Sequence, residues 1–228
     1  MHELRCIWTI ARKDLLTEWR TLDRTVGSLV FALIVLVVFQ FAFALGDASP
    51  TTQEQLLPGV LWTLIAFMTV VALSRSMLME RRRDTLLALA VSPAAGTAVY
   101  LGKLVAGLVQ LTVLLAVTMP LAALLYDYPL AAHLGPLVGV IALHGFGFTV
   151  LGTLFSGVVA RLDRGEALLA TLLFPAITPL LLSGIRCTGA VLSGDALETY
   201  QHWLLMGAGF DMLYVFVALA TFEFILQD

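Results

Sequence analysis

The side chains able to do chemistry in this sequence are few, and most lie within or beside long apolar stretches. Histidine is the most versatile metal and haem ligand among them, and the four histidines are His2, His133, His144 and His202. His133 and His144 are eleven residues apart, which separates them by about 16 Å along a helix. They cannot ligate one haem iron between them, so the histidine spacing argues against a membrane cytochrome.

No catalytic motif is visible in the sequence. There is no G-x-x-x-x-G-K-S/T phosphate loop, so we expect that the chain does not hydrolyse ATP itself. There is also no H-E-x-x-H zinc motif and no G-x-S-x-G serine motif. The two cysteines, Cys6 and Cys187, are too few for a disulfide framework or a four-cysteine metal site. The sequence therefore predicts a chain that is not an enzyme and holds no metal.

Two acidic residues fall inside the last apolar stretch. An acid such as Asp211 within a membrane span is either functional or held by a hydrogen bond between helices, and the sequence leaves both open. Glu223 lies in the last turns of the same helix, where a negative charge opposes the helix dipole. We therefore expect Glu223 to pair with a cation from Arg161, Arg164 or the N-terminal helix.

One basic segment, residues 80–103, separates two apolar stretches. Each of its arginines would cost about 3 kcal/mol at the centre of a bilayer, so the segment is predicted to lie in water. Leucines in its middle can form a short amphipathic helix that ends before Pro93, because the residue before proline avoids the α conformation. Composition alone favours a charged anchor loop, and a docking site for a soluble partner is the alternative. The candidate docking residues are Glu80, Arg81, Arg82, Arg83, Leu86, Leu87, Leu89 and Pro93.

Composition predicts an all-α, polytopic membrane protein. Of its 228 residues 60% are hydrophobic and 13% are charged, whereas soluble domains are about half apolar and a quarter charged. Six apolar stretches reach the roughly 20 residues that a spanning helix needs. They cover residues 26–45, 56–78, 101–125, 133–159, 167–185 and 203–226, and residues 79–100 form a cytosolic loop within one domain of residues 1–228.

Residues 1–24 are predicted to form an amphipathic helix on the cytosolic membrane surface. Their apolar side chains recur every three or four positions among arginine and lysine. Tryptophan prefers the headgroup level, and long cations can reach water from there. The helix of a small soluble domain is the weaker alternative, because 24 residues cannot bury a core. The apolar face consists of Leu4, Trp8, Ala11, Leu15, Trp19 and Leu22.

The distribution of cations predicts six spans with both termini in the cytosol, because cytosolic loops carry an excess of positive charge. Twelve of the thirteen arginines and lysines fall on one side of this map, in residues 1–24, 75–103 and 161–164. Only Arg186 falls on the other side, where residues 186–202 form the longest external segment. We therefore expect a membrane-impermeant thiol reagent to label Cys187 in intact cells and to spare Cys6.

Small residues four positions apart recur in the third and fourth spans, and such pairs let helices approach closely. A moving interface is one interpretation, and ordinary tight packing is the favoured one. The pairs are Gly102 with Ala106, Gly135 with Gly139, and Gly152 with Ser156.

An ordered set of segments resembles one permease family over essentially the whole chain. The sequence resembles the CcmB family, the haem-exporter permeases of cytochrome c maturation, within the type-2 ABC exporters. The segments that carry the resemblance are residues 13–21, Pro58-Gly59-Val60-Leu61-Trp62, residues 80–103, Phe174-Pro175 with Pro179 in a broken fifth span, Phe210-Asp211 and residues 222–228.

The resemblance implies a six-span permease whose cytosolic loop docks on a separate ABC ATPase subunit, the chain that binds ATP. It also implies a haem-handling multispan membrane subunit, an external haem chaperone and the lipid bilayer as partners, with no nucleic acid. Haem would be transported or handled rather than tightly bound, and a homodimer is left open. The sequence departs from the family where Ala88 follows Leu86-Leu87, since an acid is usual there. The implied location is the bacterial or archaeal cytoplasmic (inner) membrane.

The predicted function is therefore that of a non-catalytic permease subunit, which couples a partner's ATP hydrolysis to haem export or haem-chaperone release. The alternatives are a general type-2 ABC permease for a drug, lipid or polysaccharide, and a structural membrane scaffold. His133 and His202 are predicted at the outer ends of their helices, where they could contact haem that leaves the membrane. Interfacial histidines without a ligand are the favoured interpretation of both.

Overall fold

The chain is all-helical throughout the residues that the computed structural model describes, which are 2–46, 49–82, 96–128, 130–159 and 165–227. These ranges contain seven α-helices and one short 3₁₀ helix, Leu130–His133, and no strand. The all-α prediction is therefore confirmed. The α-helices are α1 His2–Thr21, α2 Asp23–Leu45, α3 Pro50–Arg82, α4 Gly96–Tyr126, α5 Leu134–Val159, α6 Gly165–Leu192 and α7 Leu197–Gln227.

Six of the described helices, α2 to α7, are long and apolar enough to cross a bilayer, as the sequence predicts for a polytopic membrane protein. Only a helix that bonds all its backbone groups internally, or a closed barrel, can cross hydrocarbon. The apolar segments are Thr25–Leu45, Gln55–Leu73, Gly96–Tyr126, Leu134–Val159, Ala170–Leu192 and Leu197–Phe222.

Helices α3 and α5 form the centre of the bundle. About 72% of the apolar segment of α3 and 67% of that of α5 are buried, against 17% for α2 and for α7. Helix α5 contacts α3, α4, α6 and α7. The outer helices present large apolar side chains such as Phe41 and Phe216 on their exposed surfaces, as expected of surfaces that face lipid. Polar side chains in the middle of α3 and α5, such as Thr69 and His144, are consequently shielded from lipid.

Helix α1 crosses α4 at Gly102. A Cβ atom added there would lie 2.8 Å from the Cβ of Ile10, so only glycine permits this approach. Gly135 and Gly139 on α5 behave differently, because nothing lies within 4 Å of a Cβ added at either. Gly102 therefore permits close packing of α1 on α4. Gly135 and Gly139 permit no comparable close contact with another helix in the described part of the chain.

Most of the segment 186–202, which the sequence predicts to be external, is helical, and the predicted helix ends at residues 185 and 203 are wrong. Helix α6 continues through Pro175 and Pro179 to Leu192, and α7 already begins at Leu197. Prolines are tolerated in spanning helices when neighbouring groups satisfy the freed backbone. Side chains on both sides of the connection, such as Tyr200, are buried against the bundle. Their burial stabilises helical turns beyond the end of the continuous apolar run. The connection between the two helices is reduced to residues 193–196.

The interval between α3 and α4 is also shorter than residues 79–100, which the sequence predicts to be a cytosolic loop. Helix α3 continues to Arg82, and α4 begins at Gly96 rather than at residue 101. Tyr100 is fully buried, its hydroxyl donates to the carbonyl oxygen of Val150 at 3.1 Å, and its ring lies 5.0 Å from that of Phe222. These contacts with α5 and α7 fix the first turns of α4 and leave residues 83–95 between the two helices.

Cys187 is buried, so the exposed position that the labelling prediction assumes is wrong, and we expect no labelling there. Its side chain is 0% exposed, and its Sγ lies 4.0 Å from the carbonyl oxygen of Tyr200. The sequence placed this residue in an external loop, whereas the structure places it inside α6. The orientation of the chain therefore has to be tested at another position.

Ser193 provides that position, because it is exposed in the connection between α6 and α7. If the cation-poor side of the chain is external, Ser193→Cys should be labelled by a membrane-impermeant thiol reagent in intact cells. The unsubstituted chain should not be labelled. Thr9→Cys, on the exposed surface of α1, is the matched control and should react only after permeabilisation. The opposite pattern would reverse the orientation.

Candidate functional site

Polar side chains meet at the centre of the bundle, where α3, α5, α6 and α7 come together. A polar group buried in a membrane span costs free energy unless it is hydrogen-bonded, so such a set is a candidate functional site. We call these residues the central cluster: Trp62, His144, Ser183, Thr188 and Asp211.

His144 joins three helices of the central cluster. The ring is fully buried; Nε2 lies 2.7 Å from Oγ of Ser183, and Nδ1 lies 2.9 Å from the carbonyl oxygen of Val140. The Ser183 hydroxyl in turn donates to the carbonyl oxygen of Trp203 at 2.6 Å. Helices α5, α6 and α7 are thus connected through the His144 imidazole and the Ser183 hydroxyl in series, and both imidazole nitrogens already have partners.

Trp62 brings α3 into the same cluster. Its indole N–H donates to Oγ1 of Thr188 on α6 at 2.8 Å. Its ring meets the rings of His144 and Phe148 edge-on, with centroids 5.4 and 5.5 Å away. Edge-to-face pairs of this kind add roughly 0.5–1.5 kcal/mol beyond the area that they bury. Trp62 therefore fixes the position of α3 relative to α5 and α6.

Asp211 is the one member of the central cluster without a hydrogen-bond partner. It is 4% exposed, and neither carboxyl oxygen has a partner among the described residues. It lies directly against Gly147 of α5, so closely that an added Cβ would overlap its Oδ1. Gly207, one turn earlier on α7, lies against the His144 ring. His144 and Asp211 therefore occupy the same α5–α7 interface, one helical turn apart.

A second polar set fastens α1 to the bundle, and we call its residues the α1 clamp: Asp14, Glu18, Thr25, Lys103 and Gln110. Lys103 Nζ lies 3.1 Å from Oδ2 of Asp14, and these two side chains are 3% and 7% exposed. Lys13 approaches the other oxygen of Asp14 at 3.4 Å from the exposed side. The buried ion pair connects α1 to the start of α4.

The rest of the α1 clamp adds α2. Glu18 Oε1 accepts hydrogen bonds from the backbone N–H and the hydroxyl of Thr25, at 2.8 and 2.7 Å. Gln110 donates to Thr25 Oγ1 at 2.8 Å. Leu22, in the left-handed conformation with φ 55°, forms the corner between α1 and α2. Helices α1, α2 and α4 are thereby held as one unit, and α4 is the helix that follows residues 83–95 in the chain.

The comparison with protein families decides the identity of this bundle. The family described as CcmB protein matches residues 5–225 of the chain. The chain belongs to the CcmB family. No curated protein matches it significantly. Membership confirms the resemblance seen in the sequence and makes the chain a multi-pass membrane permease subunit of an ABC transporter complex of cytochrome c maturation.

Most of the docking residues predicted for this CcmB-family chain lie outside the described residues. The backbone of Glu80, Arg81 and Arg82 forms the last turn of α3. Glu223 is in α7, but its side chain is outside the described part, so its predicted ion pair stays a prediction. The residues that fall outside altogether are Arg83, Leu86, Leu87, Leu89, Pro93, Arg161 and Arg164.

The two histidines predicted to contact haem lie on separate elements of the CcmB-family chain. His133 ends the 3₁₀ helix half-buried, and its Nδ1 has no hydrogen-bond partner among the described residues. His202 is exposed on α7, with its ring centroid 5.3 Å from that of Trp203. In the described part of the chain no three histidine, cysteine or acidic residues form a group that could hold a metal ion.

Sequence reasoning missed the role of His144 and of the α1 clamp. Histidine spacing tests His144 only as half of an iron-ligating pair, although a lone histidine in the middle of an apolar span is itself a signal. Asp14 and Lys103 are 89 residues apart, and nothing in their local sequences predicts that they pair.

Proposed function

We propose that this chain is the transmembrane subunit through which an ABC complex delivers haem across a bacterial or archaeal cytoplasmic membrane for cytochrome c maturation. ATP would be hydrolysed by a separate subunit, and the cargo would pass to an external haem chaperone. The observation that carries the proposal is the CcmB family match over nearly the whole chain.

The connectivity of the helices supports a coupling role for residues 83–95. The segment joins α3, which carries Trp62 of the central cluster, to α4, which carries Lys103 of the α1 clamp. Both helices are long and continuous, so a displacement of the segment would act on both clusters. A protein that docks on these residues could therefore change the packing of the bundle without entering the membrane.

The central cluster favours transmission of motion over passage of haem through this chain. Both nitrogens of His144 have partners, so the ring is not available as an axial ligand in this conformation. His133 and His202 remain the candidates for contact with haem at the outer surface. We therefore propose that a haem-handling membrane subunit holds the haem and that this chain transmits ATP-driven motion to it.

The leucines of residues 83–95 should provide the main contact with the ATPase, because a few buried side chains carry most of the binding energy of an interface and these leucines are the large apolar side chains of the segment. We expect Leu86→Ser with Leu87→Ser to release the ATPase and to abolish cytochrome c assembly, with the permease still present in the membrane. Arg82→Gln is the control and should change little, since an exposed charge contributes under about 1 kcal/mol. Co-purification of the ATPase, normalised to permease level, measures both. Retention of the ATPase by the double-serine variant would rule out apolar docking.

A further inference from the structure

The charges of α1 are segregated across the helix. Asp14 and Glu18 point inward and are nearly buried, where they hold Lys103 and Thr25. The cations of the helix point outward: Arg5, Arg12, Lys13 and Arg20 are all exposed. Glu3, in the first turn, is the exposed acid of the helix. From Trp8 to Arg20 the outward surface therefore carries positive charge without an exposed acid.

This outward surface contains a groove of about 380 Å³, lined by Trp8, Arg12, Lys13, Leu16 and Arg20 among others. Arg12 and Arg20 form no ion pair within the described part of the chain. Trp8 is 64% exposed, and Trp19, on the same side of the helix, is 80% exposed. The surface thus combines uncompensated cations with indole rings, which prefer the headgroup level of a bilayer.

The position of α1 places this groove at the boundary of the bilayer. The helix is fixed to α2 at Thr25, where the first apolar span begins, and to α4 at Lys103, within two turns of the start of the Gly96–Tyr126 span. A surface held there meets lipid headgroups before it meets a soluble protein. Complementary charge then selects headgroups with a net negative charge, because each basic residue near an anionic surface strengthens binding about fivefold.

We propose that the outward groove of α1 binds the phosphate of an anionic phospholipid, with Arg12 and Arg20 as its charged contacts and Trp8 beside the glycerol backbone. The lipid holds α1 on the membrane surface while the α1 clamp holds it on the bundle. The lipid site stands independently of the haem function, because it requires only a bilayer that contains anionic lipid.

The experiment uses the purified full-length chain in a zwitterionic detergent. We expect added phosphatidylglycerol to raise its unfolding temperature in a saturable way, and phosphatidylcholine or inorganic phosphate at the same concentration to have little effect. Arg12→Gln with Arg20→Gln should weaken the apparent affinity for phosphatidylglycerol about 30-fold. Arg186→Gln removes one charge at the opposite end of the bundle and should leave that affinity unchanged.

Every other outcome overturns the proposal. An equal response to phosphatidylcholine would mean that α1 makes only apolar contacts with lipid. A response to inorganic phosphate would identify a free anion as the ligand. An unchanged affinity in the double variant, with its baseline unfolding temperature preserved, would place the lipid elsewhere. No response to any lipid would exclude a lipid site on this surface.

Discussion

Lys103→Met should lower the free energy of unfolding in detergent by about 3–5 kcal/mol, because it leaves the buried carboxylate of Asp14 without its buried cation. The loss should be visible as a lower unfolding temperature and a reduced permease level in the membrane. The matched control is Lys13→Met, which removes the exposed cation on the same carboxylate. It should cost under about 1 kcal/mol, since exposed ion pairs contribute little.

The double variant Asp14→Leu with Lys103→Met separates the loss of the pair from damage to packing. Replacing both partners of a buried ion pair by apolar residues is often neutral, so this variant should recover most of the stability that Lys103→Met loses. If Lys103→Met and Lys13→Met cost the same, the pair is not buried as described, and α1 is not fastened to α4 through it.

Gly147→Ala should be the second most damaging change. An added methyl group would overlap Asp211 and lie 2.6 Å from Leu180 Cδ1. Hydrogen bonds link α5, α6 and α7 at this point, so the helices cannot move apart to make room for the methyl group. Overpacking of this kind costs roughly 1–3 kcal/mol. Gly139→Ala, on the same helix with open space around it, should be neutral or slightly stabilising, because alanine favours a helix by about 1 kcal/mol over glycine.

Thermal unfolding of both glycine variants in detergent tests this contrast. In an Asp211→Ala background, Gly147→Ala should cost clearly less, since the largest obstacle to the methyl group is gone. Equal losses at Gly147 and Gly139 would contradict the close α5–α7 contact. An undiminished loss in the Asp211→Ala background would assign the obstacle to Leu180 instead.

Hydropathy was sufficient to locate all six spans, because each is a run of apolar side chains that only a helix can carry across a bilayer. It failed at their ends. Tyr100, Cys187 and Tyr200 lie where the apolar runs weaken, yet all three are buried by neighbouring helices. Helices α4, α6 and α7 are longer than their apolar runs because they pack against residues that are distant in the sequence. Local composition contains no information about those contacts.

The polar sites were predictable in part. Asp211 is an acid within an apolar run, so the sequence identifies it without any structure. Lys103 is only the last cation of residues 80–103 in the sequence, and its partner on α1 becomes visible once the helices are placed. The predicted apolar face of α1 divides in the structure: Ala11 is buried, whereas Leu4, Trp8 and Trp19 are exposed. The short side chain of Ala11 permits contact with the bundle, and the longer side chains lie outside that contact.

Isolation of the intact complex tests the central proposal most directly. The chain should be purified from membranes in mild detergent, and the proteins that accompany it should be identified and quantified. We predict an ABC ATPase subunit together with a haem-handling multispan membrane subunit, and loss of the ATPase when Leu86 and Leu87 are both serine. An ATPase without a haem-handling subunit would contradict the haem-delivery function and support a general exporter. Recovery of neither would contradict the coupling role as well.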